Sequence, residues 1–303
     1  MVGSLCPEEA PPYHRKVKSK YWLRTHKFGI RIPELVQDAK MLDEKNGNTL
    51  WWDTICKEMK NIRIAFKVFE GEEKDILPGF QEVKCHMIFD IKIGENLCRK
   101  AQMVAGGHTT EAPSSITYSS VVSRESVLIS LTIAALNNLD VLACGIQNAY
   151  LTAQCREKIS TRTGPEFGSK SEFIMIVVHA LYGLKSSGAA FCALLAETLY
   201  DLGYLPTKED PDVWICMAAK SNGFEYYELF LCYVDDVLSI SHDPQKTMDG
   251  IKNTFKLKND KIKEPENYLG ADLSKMTTAD GRVCWTISSD QYCKAAVANV
   301  EDK

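Results

Sequence analysis

The stretch Leu229-Phe-Leu-Cys-Tyr-Val-Asp-Asp-Val-Leu-Ser-Ile-Ser241 places two adjacent carboxylates between two apolar runs. Tyr and Val favour strands, and an Asp pair between strand-like runs is typical of a tight hairpin turn. Two interpretations are open at this point. Asp235 and Asp236 are either an acidic surface turn or ligands on a rigid hairpin for a hard cation such as Mg²⁺, which prefers carboxylate and phosphate oxygens. The rest of the chain has to decide between them.

Composition sets loose bounds on the fold and on the partners. The chain has 303 residues, which is enough for one large or two modest domains with a substantial core. Its hydrophobic content of 45% and charged content of 25% are ordinary for a globular protein. The net charge of −4 excludes a global basic field, so any binding of nucleic acid has to come from local patches.

The eleven cysteines include no Cys-x-x-Cys pair. Their odd number and their positions inside apolar runs predict buried free thiols in a reducing compartment. A zinc site is disfavoured because paired ligand spacing is missing. The first twelve residues carry Glu8 and Glu9 and have no apolar segment typical of a signal peptide. The chain has no run of about 18 apolar residues, so we expect no membrane-spanning helix. We therefore expect an intracellular, cytoplasmic protein.

Apolar periodicity predicts helices and strands that alternate irregularly along the chain. The predicted helices cover 50–66, 123–139 and 189–202, and a further helix begins at Pro244. The predicted strands cover 82–92, 100–104, 141–146, 173–178, 213–218, 226–233, 268–273 and 283–287. Residues 156–171 are polar and contain Gly and Pro, which predicts a loop. This mixture, with hairpins toward the end, predicts an α+β fold rather than a doubly wound sheet.

Three motifs occur in a fixed order: Gln147-Asn-Ala-Tyr-Leu151, Ala180-Leu-Tyr-Gly-Leu-Lys185 and Tyr233-Val-Asp-Asp236. Together they resemble the reverse transcriptase of copia-type retrotransposons. Shorter matches, among them Tyr268-Leu-Gly270, extend the resemblance from about Trp51 to about Leu273. An ordered set is far more specific than one short motif. The resemblance therefore favours the metal-ligand interpretation of the Asp pair.

The resemblance implies a right-hand polymerase fold, with fingers, a palm built on an antiparallel sheet, and a partial or absent thumb. It implies a partly flexible lead-in at 1–49, a fingers-like region at 50–120 and a palm at 121–245. Residues 246–303 would form the end of the palm and the start of the thumb or connection. The whole chain would then be a fragment of a retrotransposon polyprotein.

The activity implied is RNA-directed DNA synthesis, in which two Mg²⁺ or Mn²⁺ ions clamp the attacking primer hydroxyl and the leaving pyrophosphate. The partners would be an RNA template, a DNA primer and deoxynucleoside triphosphates, without a membrane. Asp235 and Asp236 would be the catalytic metal ligands, and Leu269 and Gly270 would position the primer. The residues assigned to the nucleotide site are Ile146, Tyr150, Gly183, Lys185, Arg99 and Lys100, of which Ile146 would help the Asp pair to hold the metal through its backbone carbonyl.

One departure from the family pattern falls on the catalytic centre. The resemblance implies an Asp three residues before Asn148, but this chain has Gly145 there. Asp140 is a poor substitute because side chains alternate along a strand and an offset of five points it to the other face. Asn148 is neutral and follows the strand end. A lost metal ligand costs several kcal/mol of transition-state stabilisation, and each ~1.4 kcal/mol is about tenfold in rate. We therefore predict a polymerase fold with little or no polymerase activity.

Two further departures agree with this prediction. Gln102 stands where the family often has Arg, and Ser160 stands where close relatives usually have an aromatic residue. Two alternatives remain open. The chain could be a non-catalytic relic that binds nucleic acid by shape and phosphate contacts. It could also be the product of a decayed reading frame that has no need to fold.

Overall fold

The computed structural model of the chain describes residues 25–71, 78–92, 97–114, 117–290, 293–294 and 296–297. The α-helices are α1 (Val36–Asn46), α2 (Leu50–Ile62), α3 (Arg124–Leu136), α4 (Ala149–Thr152), α5 (Ser187–Asp201) and α6 (Pro244–Thr254). None of these helices combines the length and the apolar character that crossing a membrane requires.

The strands are β1 (His26–Lys27), β2 (Ile30–Arg31), β3 (Phe66–Val68), β4 (Gln81–Glu82), β5 (Cys85–Lys92), β6 (Cys98–Ala105), β7 (Asp140–Gly145), β8 (Ile159–Arg162), β9 (Ile174–Val177), β10 (Leu205–Pro206), β11 (Val213–Ala219), β12 (Glu225–Tyr233), β13 (Asp236–Ser241), β14 (Asn267–Tyr268), β15 (Ala271–Thr277) and β16 (Val283–Ser288). Helices and antiparallel strands are mixed along the chain, which confirms the predicted α+β class.

The chain divides into two compact units. The first consists of Met1–Lys60 and Met87–Met103, and the second of Asn61–His86 and Val104–Lys303. Residues 1–24 of the predicted lead-in lie outside the described residues, whereas 25–49 contain β1, β2 and α1.

In the first unit, a buried carboxylate joins α1 to α2. The backbone N–H groups of Trp51 and Trp52 donate to Asp43 at 3.1 and 2.8 Å, so Asp43 caps the first turn of α2. The fully buried Trp51 ring packs edge-on against Phe89, with the ring centroids 5.7 Å apart. Farther along α2, Glu58 accepts a hydrogen bond from the Met103 N–H at 3.0 Å.

The second unit is built on a five-stranded sheet with the order β10-β11-β12-β13-β7, in which every pairing is antiparallel. Apolar side chains cover both of its faces. Phe230 and Cys232 of β12 pack in a core with α5 and α6, whereas their neighbours Leu229 and Leu231 pack in a second core with α3. Because alternate residues of a strand face opposite sides, burial on both faces explains the uninterrupted apolar run before Tyr233.

The helix α3 begins where the sequence predicts. Ser123 has an extended backbone, and its hydroxyl oxygen accepts a hydrogen bond from the Ser126 N–H at 3.1 Å. Ser123 is therefore the N-cap of α3. The carboxylate of Asp210 also accepts from the Ser123 N–H at 3.0 Å and from the Ser126 hydroxyl at 2.5 Å, which ties the start of α3 to the loop before β11.

The prediction of a loop over 156–171 is wrong. Residues Ile159–Arg162 form β8, which pairs antiparallel with β9 and parallel with β4 inside a four-stranded sheet. A 3₁₀ segment, Pro165–Lys170, follows. Ser160 and Thr161 are 4% and 1% exposed, so small polar side chains occupy central strand positions. Backbone pairing on both sides, rather than apolar periodicity, stabilises this strand, and its polar composition hid it.

The prediction of buried thiols is confirmed for Cys144 and Cys232 and is wrong for Cys56, Cys98 and Cys293, which are exposed. All cysteines of the described residues are free, and Cys6 lies outside that part of the chain. Burial, together with the nearby charge of Asp236, raises the pKa of Cys144 to about 12. The Cys144 thiol therefore stays protonated at neutral pH.

Candidate active site

The acidic pair lies on the tight turn between β12 and β13. Tyr233 pairs with Asp236, which leaves Val234 and Asp235 as a two-residue loop. Val234 has a φ of +53°, whereas Asp235 is not among the residues with positive φ, a pattern typical of a type II′ turn. That position favours Gly, and a β-branched residue there is sterically strained. The surroundings impose the strain, as often happens at functional sites.

Gly145 lies directly beside the acidic turn. In the pairing of β13 with β7 it is the register partner of Asp236, and a Cβ added to Gly145 would lie 3.0 Å from Asp236 Oδ1. The Ile146 N–H donates to the Asp235 carbonyl at 2.6 Å, which joins the turn to the end of β7. Asp140 pairs with Ser241 at the other end of β7. The position that the family pattern reserves for an Asp is therefore adjacent to the pair and has no side chain.

Lys258, which belongs to none of the sequence motifs, contacts both acids. The Nζ atom of Lys258 lies 2.6 Å from Asp235 Oδ2 and 3.1 Å from Asp236 Oδ1. Its aliphatic stem crosses the bare backbone of Gly145, because a Cβ there would meet Lys258 Cδ at 2.6 Å and Cε at 3.1 Å. One ammonium group thus bridges two carboxylates in the space beside Gly145.

The chain after α6 holds Lys258 in this place. Leu257 is buried and forms an isolated antiparallel bridge with Ile146, and the Gln147 N–H donates to the Lys256 carbonyl at 2.8 Å. These contacts fix the backbone on either side of Lys258 along the open edge of β7. The lysine therefore approaches the acidic pair from a positioned backbone rather than from a loose loop.

Electrostatics favour the charged form of this lysine. Partial burial lowers the pKa of Lys258, but hydrogen bonds to Asp235 and Asp236 and the charges of both carboxylates outweigh it, so the pKa lies above its ordinary value. The ammonium reduces the formal charge of the pair from −2 to −1. Its side chain is 43% exposed, so solvent screens part of the attraction.

The residues present do not fit a two-metal centre as they stand. Such a centre requires carboxylates from two strands, whereas the end of β7 beside the hairpin contributes only the backbone of Gly145. Across the described ranges, no group of three or more His, Cys, Asp or Glu side chains is placed to hold a metal ion. One oxygen each of Asp235 and Asp236 already pairs with Lys258.

Tyr150 lies in α4, close to the acidic turn. Its ring centroid is 4.7 Å from that of Tyr182 and 6.2 Å from that of Phe191. Partial burial raises the pKa of Tyr150, and the charges of Cys192 and Asp235 add to the effect. The backbone segment that leads to Tyr150 is anchored by Ile146, which is completely buried. The structure therefore brings Ile146 and Tyr150 to the same end of β7 as the acidic pair.

Gly183 and Lys185 make contacts within the protein. Gly183 has a φ of +92°, and a Cβ there would lie 2.1 Å from the Ala105 carbonyl oxygen. The Ala105 N–H donates to the Tyr182 carbonyl at 2.8 Å, so two backbone segments meet at this glycine. The Lys185 ammonium donates to the carbonyl of Thr110. Close backbone packing accounts for Gly183, and a backbone carbonyl holds Lys185.

Arg99 and Lys100 belong to the first unit. The Arg99 guanidinium donates to the Leu97 carbonyl at 3.3 Å, and Lys100 donates to the Gln102 side-chain oxygen at 2.7 Å. The residue at the position where the family often has Arg is thus a hydrogen-bond acceptor for Lys100.

Leu269 and Gly270 form the turn between β14 and β15. Both have positive φ, +54° and +74°. The preceding Tyr268 is buried, and its hydroxyl donates to the carbonyls of Leu231 and Asp236, at 3.4 Å in each case. This contact anchors the turn at the base of the acidic hairpin.

Comparison with known proteins shows which family the chain belongs to. Residues 79–301 match the sequence model of a family described as reverse transcriptase (RNA-dependent DNA polymerase). The chain belongs to this reverse transcriptase family. The match covers all three ordered motifs and the acidic hairpin, and it confirms the family predicted from them.

Several relatives that match this reverse transcriptase chain are transposon polyproteins. The chain is 26% identical over 65% of its length to the retrovirus-related Pol polyprotein from transposon RE1 of Arabidopsis thaliana, covering 14% of that polyprotein. It is 24% identical over 86% of its length to that of transposon TNT 1-94 of Nicotiana tabacum, covering 19%. It is 27% identical over 86% of its length to the Ty1-LR2 Gag-Pol polyprotein of Saccharomyces cerevisiae, covering 14%. The chain spans less than a fifth of each relative, and these matches confirm the predicted copia-type resemblance.

Proposed function

We propose that this chain is the polymerase part of a copia-type retrotransposon polyprotein and that its own catalytic centre has little or no activity. The pairing of Gly145 with Asp236 carries the proposal, because it puts a residue without a side chain where a third carboxylate is needed. The lost ligand corresponds to several kcal/mol of transition-state stabilisation, or a rate at least about 100-fold lower.

The proposed architecture is that of a right hand. The five-stranded sheet, with the acidic hairpin at one end, would be the palm, assigned to 121–245. Residues 50–120 would form the fingers, 246–303 the end of the palm and the start of a thumb, and 1–49 a lead-in. The antiparallel order of the sheet and the edge position of β7 beside β13 support the palm assignment.

The proposed roles follow the geometry around the hairpin. Asp235 and Asp236 would be the remaining metal ligands, with weakened affinity for Mg²⁺ or Mn²⁺ because Lys258 pairs with both. The backbone carbonyl of Ile146 would help these acids to hold the metal. Tyr150 would lie under the incoming sugar and exclude a 2′-hydroxyl by its bulk. The turn at Leu269 and Gly270 would steady the primer end, a role supported by the hydrogen bond from Tyr268 to Asp236.

The remaining nucleotide contacts proposed are those of Gly183, Lys185, Arg99 and Lys100. The proposed partners are an RNA template, a DNA primer and deoxynucleoside triphosphates. As part of a transposon polyprotein, the chain would act inside the cell, in the cytoplasm, and for an intact element in a virus-like particle or in the nucleus.

The test combines binding with catalysis. An RNA–DNA hybrid with a fluorescent label is expected to bind at low salt, with an affinity that falls as salt increases, because phosphate contacts release counterions. Primer extension on the same hybrid with Mg²⁺ or Mn²⁺ is expected to be no faster than extension by the Asp235→Asn variant.

Two results would contradict the proposal. Failure to bind the hybrid at low salt would remove the polymerase role. Rapid extension would contradict the inactivity, and if Asp235→Asn left that extension unchanged, the active site would have to lie elsewhere.

A non-catalytic nucleic-acid-binding relic is the second candidate. The observation in its favour is that Lys258 reduces the negative charge of the acidic pair, which otherwise repels a phosphate backbone. Hybrid binding, together with failure of every variant at Gly145 and Lys258 to extend a primer, would favour the relic over an impaired polymerase.

A further inference from the structure

We propose that the Lys258 ammonium is a built-in counter-ion that occupies the cation position of the acidic pair and competes with divalent metal ions. The proposal deepens the proposed function, since it rests on Asp235 and Asp236 being the metal ligands. Lys258 Nζ reaches one oxygen of each, at 2.6 and 3.1 Å, as a bridging cation would.

The bare backbone at Gly145 leaves room for the present course of the lysine side chain. Register partners on antiparallel strands project their side chains to the same face, so an Asp at 145 would lie beside Asp236. A Cβ at 145 would come within 2.6 Å of Lys258 Cδ, which is closer than real contacts of this kind. Glycine at 145 therefore has two effects. It removes a carboxylate from this position, and it leaves the space through which the Lys258 side chain now runs.

Positioning makes this ion pair more than an incidental surface contact. Isolated exposed ion pairs contribute little, because solvent screens them and two side chains have to be ordered. Here the acids lie on a two-residue turn, and the backbone around Lys258 is held by the buried Leu257 and its bridge to Ile146. A group tethered this close acts at an effective concentration of roughly millimolar or more.

A divalent ion therefore has to displace a tethered cation before it can use both carboxylates. Mg²⁺ is commonly held by only one or two carboxylates and retains several waters, so its protein ligands are few even in an intact site. Lys258 pairs with one oxygen of each acid, which leaves fewer oxygens to bind Mg²⁺ and lowers the affinity of the pair for the ion. Removal of the ammonium would leave two adjacent negative charges, which attract a cation more strongly.

The test is the binding of Mn²⁺ alone to the whole chain, followed through the electron paramagnetic resonance signal of free Mn²⁺. The Lys258→Met variant is expected to bind one ion at least tenfold more tightly than the unmodified chain. Adding Asp235→Asn to that variant is expected to abolish the gain. Lys256→Met is the matched control. Lys256 is exposed and lies two residues from Lys258, and its replacement by Met changes the net charge by the same amount.

Equal affinity of the unmodified chain and Lys258→Met would overturn the proposal. An equal gain in Lys256→Met would also overturn it, because the cause would then be net charge. If Lys258→Met does not fold, as judged by circular dichroism, Lys258→Gln keeps most of the stem and is expected to show the same gain. The titration needs neither template nor nucleotide, so its failure is distinguishable from a failure of the proposed function, which is read from hybrid binding and primer extension.

Discussion

A Gly145→Asp variant is expected to extend a primer no faster than the unmodified chain, whereas the Gly145→Asp/Lys258→Ala double variant is expected to be at least about 100-fold faster. In Gly145→Asp the flexible stem of Lys258 has to shift away from the new Cβ, but its ammonium still reaches the acids and pairs with them. Removal of the lysine together with addition of the acid leaves three carboxylates for metal ions. The measurement is single-turnover extension on an RNA template with Mg²⁺.

The matched control for this experiment is Gly145→Asp/Lys256→Ala, which removes an equal charge from an exposed lysine that does not contact the acids. It is expected to stay as slow as Gly145→Asp. Lys258→Ala alone is also expected to stay slow, since the end of β7 beside the hairpin still lacks an acid. Full recovery in Gly145→Asp alone would show that the lysine is no barrier.

Gly183→Ala is expected to lower the free energy of unfolding by more than about 4 kcal/mol, a cost that only a few mechanisms produce. The new Cβ would lie 2.1 Å from the Ala105 carbonyl oxygen and 2.6 Å from Val104 Cγ1. The φ of +92° is also one that side chains rarely adopt. Relief of the contact has to move backbone, which a packed junction resists. Urea denaturation followed by circular dichroism measures the change.

The control for this variant is Gly223→Ala in the turn between β11 and β12. Gly223 has a similar φ of +84°, but nothing lies within 4 Å of its would-be Cβ. It is therefore expected to cost only about 1–2 kcal/mol, the penalty of the backbone conformation. Equal costs at Gly183 and Gly223 would show that close packing at Gly183 contributes nothing.

Much of the acidic hairpin could be predicted from the sequence, because its determinants are local. The apolar runs on both sides of Asp235 and Asp236 predict paired strands, and the Asp pair predicts the turn. The conformation of the turn is a different matter. Nothing in its composition indicates a positive φ at Val234, since a β-branched residue disfavours it and only the surrounding sheet imposes it.

The contacts between segments distant in the chain were harder to predict. Lys258 lies in a run with Lys256, Lys261 and Lys263, which is typical of a solvated surface segment. Its contact with the acids depends on the bridge between Leu257 and Ile146. The spacing of apolar residues along the chain gives no indication of a bridge between such distant segments. The central strand β8 was missed for the same reason, since pairing with both neighbours rather than apolar residues stabilises it.

The most direct test of the central claim is a crystal structure of the unmodified chain grown with Mn²⁺, with anomalous data to locate the ion. The account predicts Lys258 Nζ within hydrogen-bond distance of both Asp235 and Asp236 and no anomalous peak between the carboxylates. A manganese ion seated between the two acids, with the lysine turned away beside Gly145, would contradict it.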